Sequence, residues 1–274
     1  PDGMKVKKAL SRRLIQPENV RMPSPIVTDI VMPSDLGAQP EAAVVAPKII
    51  LPGDLPPGEG GALEHAFTDT HCHFDFPPFT GHEGESLVRA ASAGVTRIIV
   101  PTVTADRFAR VLRLAQDHAP LFAALGLHPL YIAQHHGPQL EQLAALLAER
   151  PRKLVAVGEV GLDLYMDNPQ FERQQSVLLA QLRLAKQHDL PVILHSRRTH
   201  DQLAAALRRV QLPRRGVVHG FAGSLSQAQA FIRLGYYIGV GGTITYERAQ
   251  KTRGVMAQLP LEVETQLLEG GTPL

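Results

Sequence analysis

Three short apolar runs in this chain each end on a side chain that a buried strand has no structural use for. Leu154-Val155-Ala156-Val157-Gly158-Glu159 stops on a carboxylate, and Pro191-Val192-Ile193-Leu194-His195 stops on an imidazole. Gly216-Val217-Val218-His219 repeats the design. Such β-branched runs predict strands buried on both faces, which is the habit of parallel sheets. Pro191 stands at a strand start, where a missing N–H is tolerated. Three polar tips in succession put metal-ligand side chains at the C-terminal ends of consecutive strands, where barrel enzymes assemble their sites.

Helical stretches lie between the strands. Asp106 to His118 carries Phe108, Val111, Leu112 and Ala115 at three- and four-residue spacing, and Phe171 to His188 carries Val177, Leu178, Leu182 and Ala185 in the same way. Gln139 to Glu149, Asp201 to Arg209 and Ser224 to Leu234 complete the helices, with further strands near Arg97–Val100, Leu121–Leu127 and Tyr237–Val240. Repeated β-then-α gives an α/β fold with a parallel sheet. An open doubly wound sheet gathers its ligand at one switch point, whereas polar tips here are spread along the segment, so a barrel is expected.

Upstream, Phe67-Thr68-Asp69-Thr70-His71-Cys72-His73 holds two histidines two residues apart. On a strand, alternate residues share a face, so both imidazoles would converge on one ion while Cys72 points the other way as a small buried residue. With twelve histidines in the chain such a pair arises easily by chance, and it gains weight only from the polar tips downstream. Together His71, His73, Glu159, His195 and His219 imply a divalent-metal hydrolase. Asp163 is placed to orient a ligand or to shape the following turn.

The ordered set Phe67 to His73, Gly126-Leu127-His128-Pro129, Gly158 to Asp163, Leu194-His195-Ser196-Arg197 and His219 to Ser224 resembles the signature of the TatD family of metal-dependent deoxyribonucleases. Gly239 to Tyr246 is similar to a segment of one bacterial branch of that family. The resemblance runs from about Phe67 to about Pro260. It implies a TIM-like (β/α) barrel, two divalent cations (Zn²⁺, Mn²⁺ or Mg²⁺) and hydrolysis of DNA phosphodiesters. Two cations about 3.5–4 Å apart suit that chemistry. His71 and His73 would hold one ion, Glu159, on which catalysis turns, would bridge both, and His195 and His219 would hold the second. Apart from the resemblance, His128 after the third strand is a candidate to contact phosphate or to support a ligand, or else a strand-end histidine bonded to backbone, and Arg197 is placed to meet a phosphate with its planar fork unless Arg197-Arg198 is an ordinary solvated pair. The same barrel hosts C–N bond hydrolysis in amidohydrolases, which is the alternative chemistry, and a degenerate barrel without turnover is a third possibility.

At its C-terminal end the resemblance breaks. The family continues into a final strand ending in Glu-Thr-Asp, whose aspartate completes the first metal site. Here Gln266-Leu267-Leu268-Glu269-Gly270-Gly271-Thr272-Pro273 stands in its place, with Gly271 at the aspartate position. The resemblance therefore implies a barrel without its last helix and an impaired first site, with Glu262, Glu264 and Glu269 as substitute candidates.

Residues 1–65 differ in kind from the barrel expected over 66–274. Prolines at 17, 23, 25, 33, 40, 47, 52, 56 and 57 and a glycine cluster at 53–61 predict extended chain or linker. The apolar runs Ile26–Met32 and Ala42–Leu51 are too few for a core. Met4 to Ile15, rich in Lys and Arg, would form at most a short basic helix stopped by Pro17. Elsewhere no apolar stretch approaches the roughly 18 residues of a membrane span, so no membrane partner is expected. A single cysteine and no visible signal peptide predict a cytoplasmic setting. A net charge of +2 is too balanced for wholesale coating of nucleic acid, so DNA would be engaged by local arginines and the metals. No protein partner is implied.

Overall fold

In a computed structural model that describes residues 67–259 and 267–269, eight strands lie side by side in chain order, every neighbouring pair parallel. They are β1 (Phe67–Asp69), β2 (Val95–Pro101), β3 (Leu121–Leu125), β4 (Leu154–Asp163), β5 (Val192–Arg197), β6 (Gly216–Val218), β7 (Tyr237–Gly241) and β8 (Leu267–Glu269). β8 comes back alongside β1, so the sheet curls into the expected (β/α) barrel. The helices are α1 (Glu83–Ser92), α2 (Phe108–Asp117), α3 (Gly137–Glu149), α4 (Phe171–Gln187), α5 (His200–Arg209), α6 (Leu225–Arg233) and α7 (Gln250–Met256). The expectations for residues 1–65, for Gly271 and for the closing segment beyond β8 lie outside the described residues.

Five of these helices match the sequence reading to within two or three residues at each end. The stretch from Asp106 splits, because Ala105–Arg107 forms a turn of 3₁₀ helix before α2 starts at Phe108. α6 begins at Leu225 because Ser224 caps it: the Ser224 hydroxyl accepts the Gln227 N–H at 3.2 Å while Gln227 Oε1 accepts the Ser224 N–H at 3.0 Å. Two helices went unanticipated. α1 buries only Ser86 and α7 only Val255, so neither carries the apolar stripe by which a helix is recognised.

Two hydrophobic cores result. The larger fills the space between sheet and helices, with Phe108, Leu121, Leu143, Leu178, Leu203 and Phe231 fully or almost fully buried. The smaller is built from Ile99, Ala124, Val155, Ala156, Ile193 and Val217, with Phe122 and Tyr237 against it. Residues two apart on a strand share a face, so His195 follows Ile193 and His219 follows Val217 on the same side of the sheet. That side is the barrel interior: an apolar plug, with the polar strand tips above it.

β4 is the longest strand, and all ten of its residues are buried. It does not stop on Glu159, as the sequence suggested, but continues to Asp163. Its register against β5 slips: Val157 pairs with Val192, yet Val160 pairs with Leu194, leaving one residue too many on β4 at Gly158–Glu159. Only glycine fits at the slip. A Cβ on Gly158 would lie 2.7 Å from Ile193 Cβ, and one on Gly126 would lie 2.7 Å from the Gly158 carbonyl carbon. Gly126 is further pinned by Thr102, whose Oγ1 accepts its N–H at 2.7 Å and donates to its carbonyl at 3.0 Å.

Candidate metal centre

Glu159 sits at the middle of the barrel mouth with no solvent exposure. Its two oxygens face different strands. On the Oε2 side, His71 Nε2 lies at 3.2 Å and His73 Nε2 at 3.3 Å. On the Oε1 side stand His195 Nδ1 at 3.2 Å, His128 Nε2 at 3.3 Å and His219 Nε2 at 3.9 Å. Five imidazoles therefore surround one carboxylate.

The histidine pair converges by a different route from the one expected. β1 ends at Asp69, so His71 and His73 lie in the irregular segment beyond it rather than on a strand. Asp69 shapes that segment by accepting the His71 N–H on Oδ1 at 3.0 Å, and Cys72 N–H donates to the Ile99 carbonyl. The two Nε2 atoms meet at 3.2 Å. His219, the first residue past β6, stacks on His71 with ring centroids 3.4 Å apart and planes within 9°. Two stacked imidazoles cannot both be cationic. Burial, reinforced by His219, holds the His71 pKa well below its ordinary value.

On the other side hydrogen bonds do the positioning. His195 donates from Nε2 to Asp163 Oδ2 at 2.7 Å, while its Nδ1 faces Glu159. Burial alone would depress His195, but the bonds to Asp163 and Glu159 outweigh it and lift the pKa to about 9. Asp163 is held in turn: its Oδ1 accepts the Tyr165 N–H at 2.7 Å, and its backbone is clasped by Gln174, which accepts the Asp163 N–H at 2.8 Å and donates to the Asp163 carbonyl at 2.9 Å. Seven residues on, along the same face of α4, Gln181 clasps Leu127 in the same manner at 2.8 and 3.3 Å. These two buried glutamines fix the loops after β4 and β3, and sequence reasoning missed both. The signal was present as polar residues within the apolar stripe of α4.

Burial pushes the Glu159 carboxyl up, but the surrounding imidazoles, His128 and His71 foremost, more than reverse this and hold it well below the usual carboxylate range. An ionised, buried carboxylate needs compensation. Yet among the described residues Oε2 accepts no hydrogen bond, although two imidazole nitrogens stand within 3.3 Å of it. Nitrogen lone pairs converging on a bare carboxylate oxygen are the donor set of a divalent cation, so these residues fit one. Ligand atoms of His71, Glu159 and His219 lie within 4.8 Å of one another, as do those of His128, Glu159 and His195.

The centre opens on one side. The His195 and His219 side chains are 12% and 14% exposed, against 0% for Glu159. Arg197, at the end of β5, lies on that rim with its guanidinium carbon 3.9 Å from the Tyr165 ring centroid, and Arg198 adds a second guanidinium at 4.3 Å. Among the described residues neither arginine pairs with a carboxylate. Tyr165 is 49% exposed and was not singled out from sequence.

Residues 68–273 match the family model described as TatD related DNase. The chain belongs to the TatD family. It is 64% identical over 207 residues to the uncharacterized metal-dependent hydrolase YjjV of Escherichia coli strain K12, covering 76% of this chain and 79% of that protein. The crystal structure of the same E. coli TatD homologue superimposes with a TM-score of 0.70 at 66% identity, covering 71% of this chain and 75% of that one. A protein named 3'-5' ssDNA/RNA exonuclease TatD from Enterobacter lignolyticus is 32% identical, covering 66% of this chain and 69% of its own length. The fold is thus that of a TatD-family, metal-dependent hydrolase, and no helix among the described residues is long and apolar enough to cross a membrane.

Proposed function

We propose that this chain hydrolyses phosphodiester bonds of DNA, single strands in particular, at a centre of two divalent ions shared by Glu159. The carrying observation is the division of the Glu159 carboxylate, with one oxygen toward His71 and His73 and the other toward His195 and His219. In this reading His71 and His73 would hold one ion and His195 and His219 the other, with Glu159 between them. Bound there, the ions would supply Lewis-acid polarisation of the phosphoryl group and neutralise its charge. Nitrogen with carboxylate ligands favours Zn²⁺ or Mn²⁺, while Mg²⁺ prefers more oxygen.

The chain's own residues do the rest. Asp163 holds the Nε2 proton of His195, so that Nδ1, which faces Glu159, is the atom that would ligate once an ion displaces its proton. Arg197, backed by the Tyr165 ring and without a carboxylate partner among the described residues, offers a planar fork suited to a phosphate. Burial of Glu159, His71 and His73 beneath the rim excludes water from all but the His195–His219 side. The lone, buried Cys72 suits a reducing compartment, and the cytoplasm is the proposed setting. The relatives named as exonucleases of single-stranded DNA and RNA support this substrate.

Oligonucleotides, dinucleotides and cyclic amides offered with Mn²⁺, Mg²⁺ or Zn²⁺ test the proposal. Metal-dependent cleavage of single-stranded DNA, lost in Glu159→Gln, is the expected result. Turnover of cyclic amides with no diester cleavage would overturn it.

A further inference from the structure

Val88, Tyr165 and Tyr246 are the large apolar side chains left exposed among the described residues, and of these Tyr165 is built onto the metal centre. Its N–H donates to Asp163 Oδ1 at 2.7 Å, while the other oxygen of the same carboxylate accepts from His195 Nε2 at 2.7 Å. One carboxylate thus fixes both the backbone of Tyr165 and an imidazole that faces Glu159. The preceding Leu164 N–H donates to the Arg197 carbonyl at 3.0 Å, and Asp163 is aligned with Arg197 in the strand register. Tyr165 is therefore tied to the rim of the centre through its backbone, and its ring is left over.

Nothing in the packing calls for a ring at that place. A tyrosine stabilises a fold by burying its ring, yet Tyr165 stays 49% exposed. What it gathers instead is charge: the guanidinium carbons of Arg197 and Arg198 lie 3.9 and 4.3 Å from the ring centroid. Arg198 is itself exposed, and it reaches the ring from a left-handed backbone, φ 59°, that arginine seldom adopts. Two like charges held on one ring, with no carboxylate paired to either among the described residues, repel each other, and an anion relieves that repulsion. The exposed ring in turn suits a flat partner. A nucleotide meets both demands, because it joins a planar base to a phosphate. A guanidinium stacked on a ring also keeps its N–H edge for a phosphate, so ring and fork can serve one substrate together.

We propose that Tyr165, steadied by Arg197 and Arg198, is a stacking platform for an unpaired nucleobase next to the scissile phosphate, and that this platform makes the chain select single strands. Inside a duplex both faces of a base are covered by its neighbours, whereas an unpaired base has a face to offer. Stacking uses the π face common to every base, so the platform takes any of them. The place of the base beside the cut rests on the phosphodiesterase reading; the stacking does not.

Binding and cleavage by the full chain test the platform separately. For binding, a fluorescein-labelled single-stranded thymidine oligonucleotide with hydrolysis-resistant phosphorothioate links is compared with the same strand made of abasic residues. The margin by which the parent favours the base-bearing strand should be about tenfold larger than in Tyr165→Ala, the worth of one stacked base. Tyr165→Phe, which keeps the ring, should match the parent. For cleavage with Mn²⁺, the preference for a single strand over a blunt duplex of the same sequence should fall about tenfold in Tyr165→Ala, through KM rather than kcat. An equal margin in the parent and Tyr165→Ala, or a loss in Tyr165→Phe as large as in Tyr165→Ala, would overturn the platform. A parent that shows the binding margin but cleaves no DNA would remove the phosphodiesterase reading and leave the platform standing, and DNA cleavage without that margin would do the reverse.

Discussion

The two walls of the centre are fixed by different means. On the β4–β5 wall, hydrogen bonds run outward without a break from His195 to Asp163 to Gln174 and on to the Pro169 carbonyl. On the β1–β6 wall, His71 rests on the flat face of His219, and the Nδ1 atoms of His71 and His73 are buried with no hydrogen-bond partner among the described residues. One wall is organised by the protein before any ion binds, whereas the other consists of rings whose common purpose is the ion. Ligands of the first kind keep their geometry in the free protein, and those of the second acquire it on loading.

Four experiments test this contrast. The largest effect belongs to the residue both walls share: Glu159→Gln should lower diester hydrolysis by about a thousandfold or more, because the charge that both sets of ligands address is gone. Residual activity within tenfold of the parent would mean that Glu159 is not the bridge. Next, Asp163→Asn should weaken metal binding or activity by roughly 10–100-fold, since an amide in place of the carboxylate no longer enforces the His195 tautomer. Titration with Zn²⁺ gives the number, and an unchanged affinity would dissolve the distinction between the walls.

Gly158→Ala probes the support behind the organised wall. Its methyl would fall 2.7 Å from Ile193 Cβ, and overpacking of that sort costs about 1–3 kcal/mol, read as a lower denaturation midpoint. The smallest effect should accompany chelation. Imidazole resonances of His71 and His73 should shift or broaden when the ion is removed, while the Nε2 proton of His195 keeps its place on Asp163. Equal disturbance of both walls would contradict the comparison.

Much of the barrel was legible because its strands are short apolar runs bounded by polar tips, and its larger helices carry apolar stripes. α1 and α7 escaped because burial of one residue each leaves no periodicity to see. At the centre, the sequence indicated which residues stand at the strand ends but not which oxygen of Glu159 each would face. His128 shows why. Its place beside Glu159 depends on Thr102, Val103 and Gln181 holding residues 126–128 against β2 and α4, contacts between segments far apart in the chain. Gln174 and Gln181 were hidden for a related reason, since a glutamine in an amphipathic stretch resembles a solvated residue until a loop folds over it.

The extra residue at Gly158–Glu159 decides which way half of β4 points. Val157 is aligned with Val192, and Val160 with Leu194, all of them in the core between sheet and helices. Strict alternation onward from Val157 would therefore have sent 159, 161 and 163 out toward the helices as well. The slip changes the phase, so that Val160 and Leu162 take the outward positions and Glu159 and Asp163 turn into the barrel. A β4 of the same length in unbroken alternation would have buried both carboxylates among the core leucines and left the mouth of the barrel without its acid.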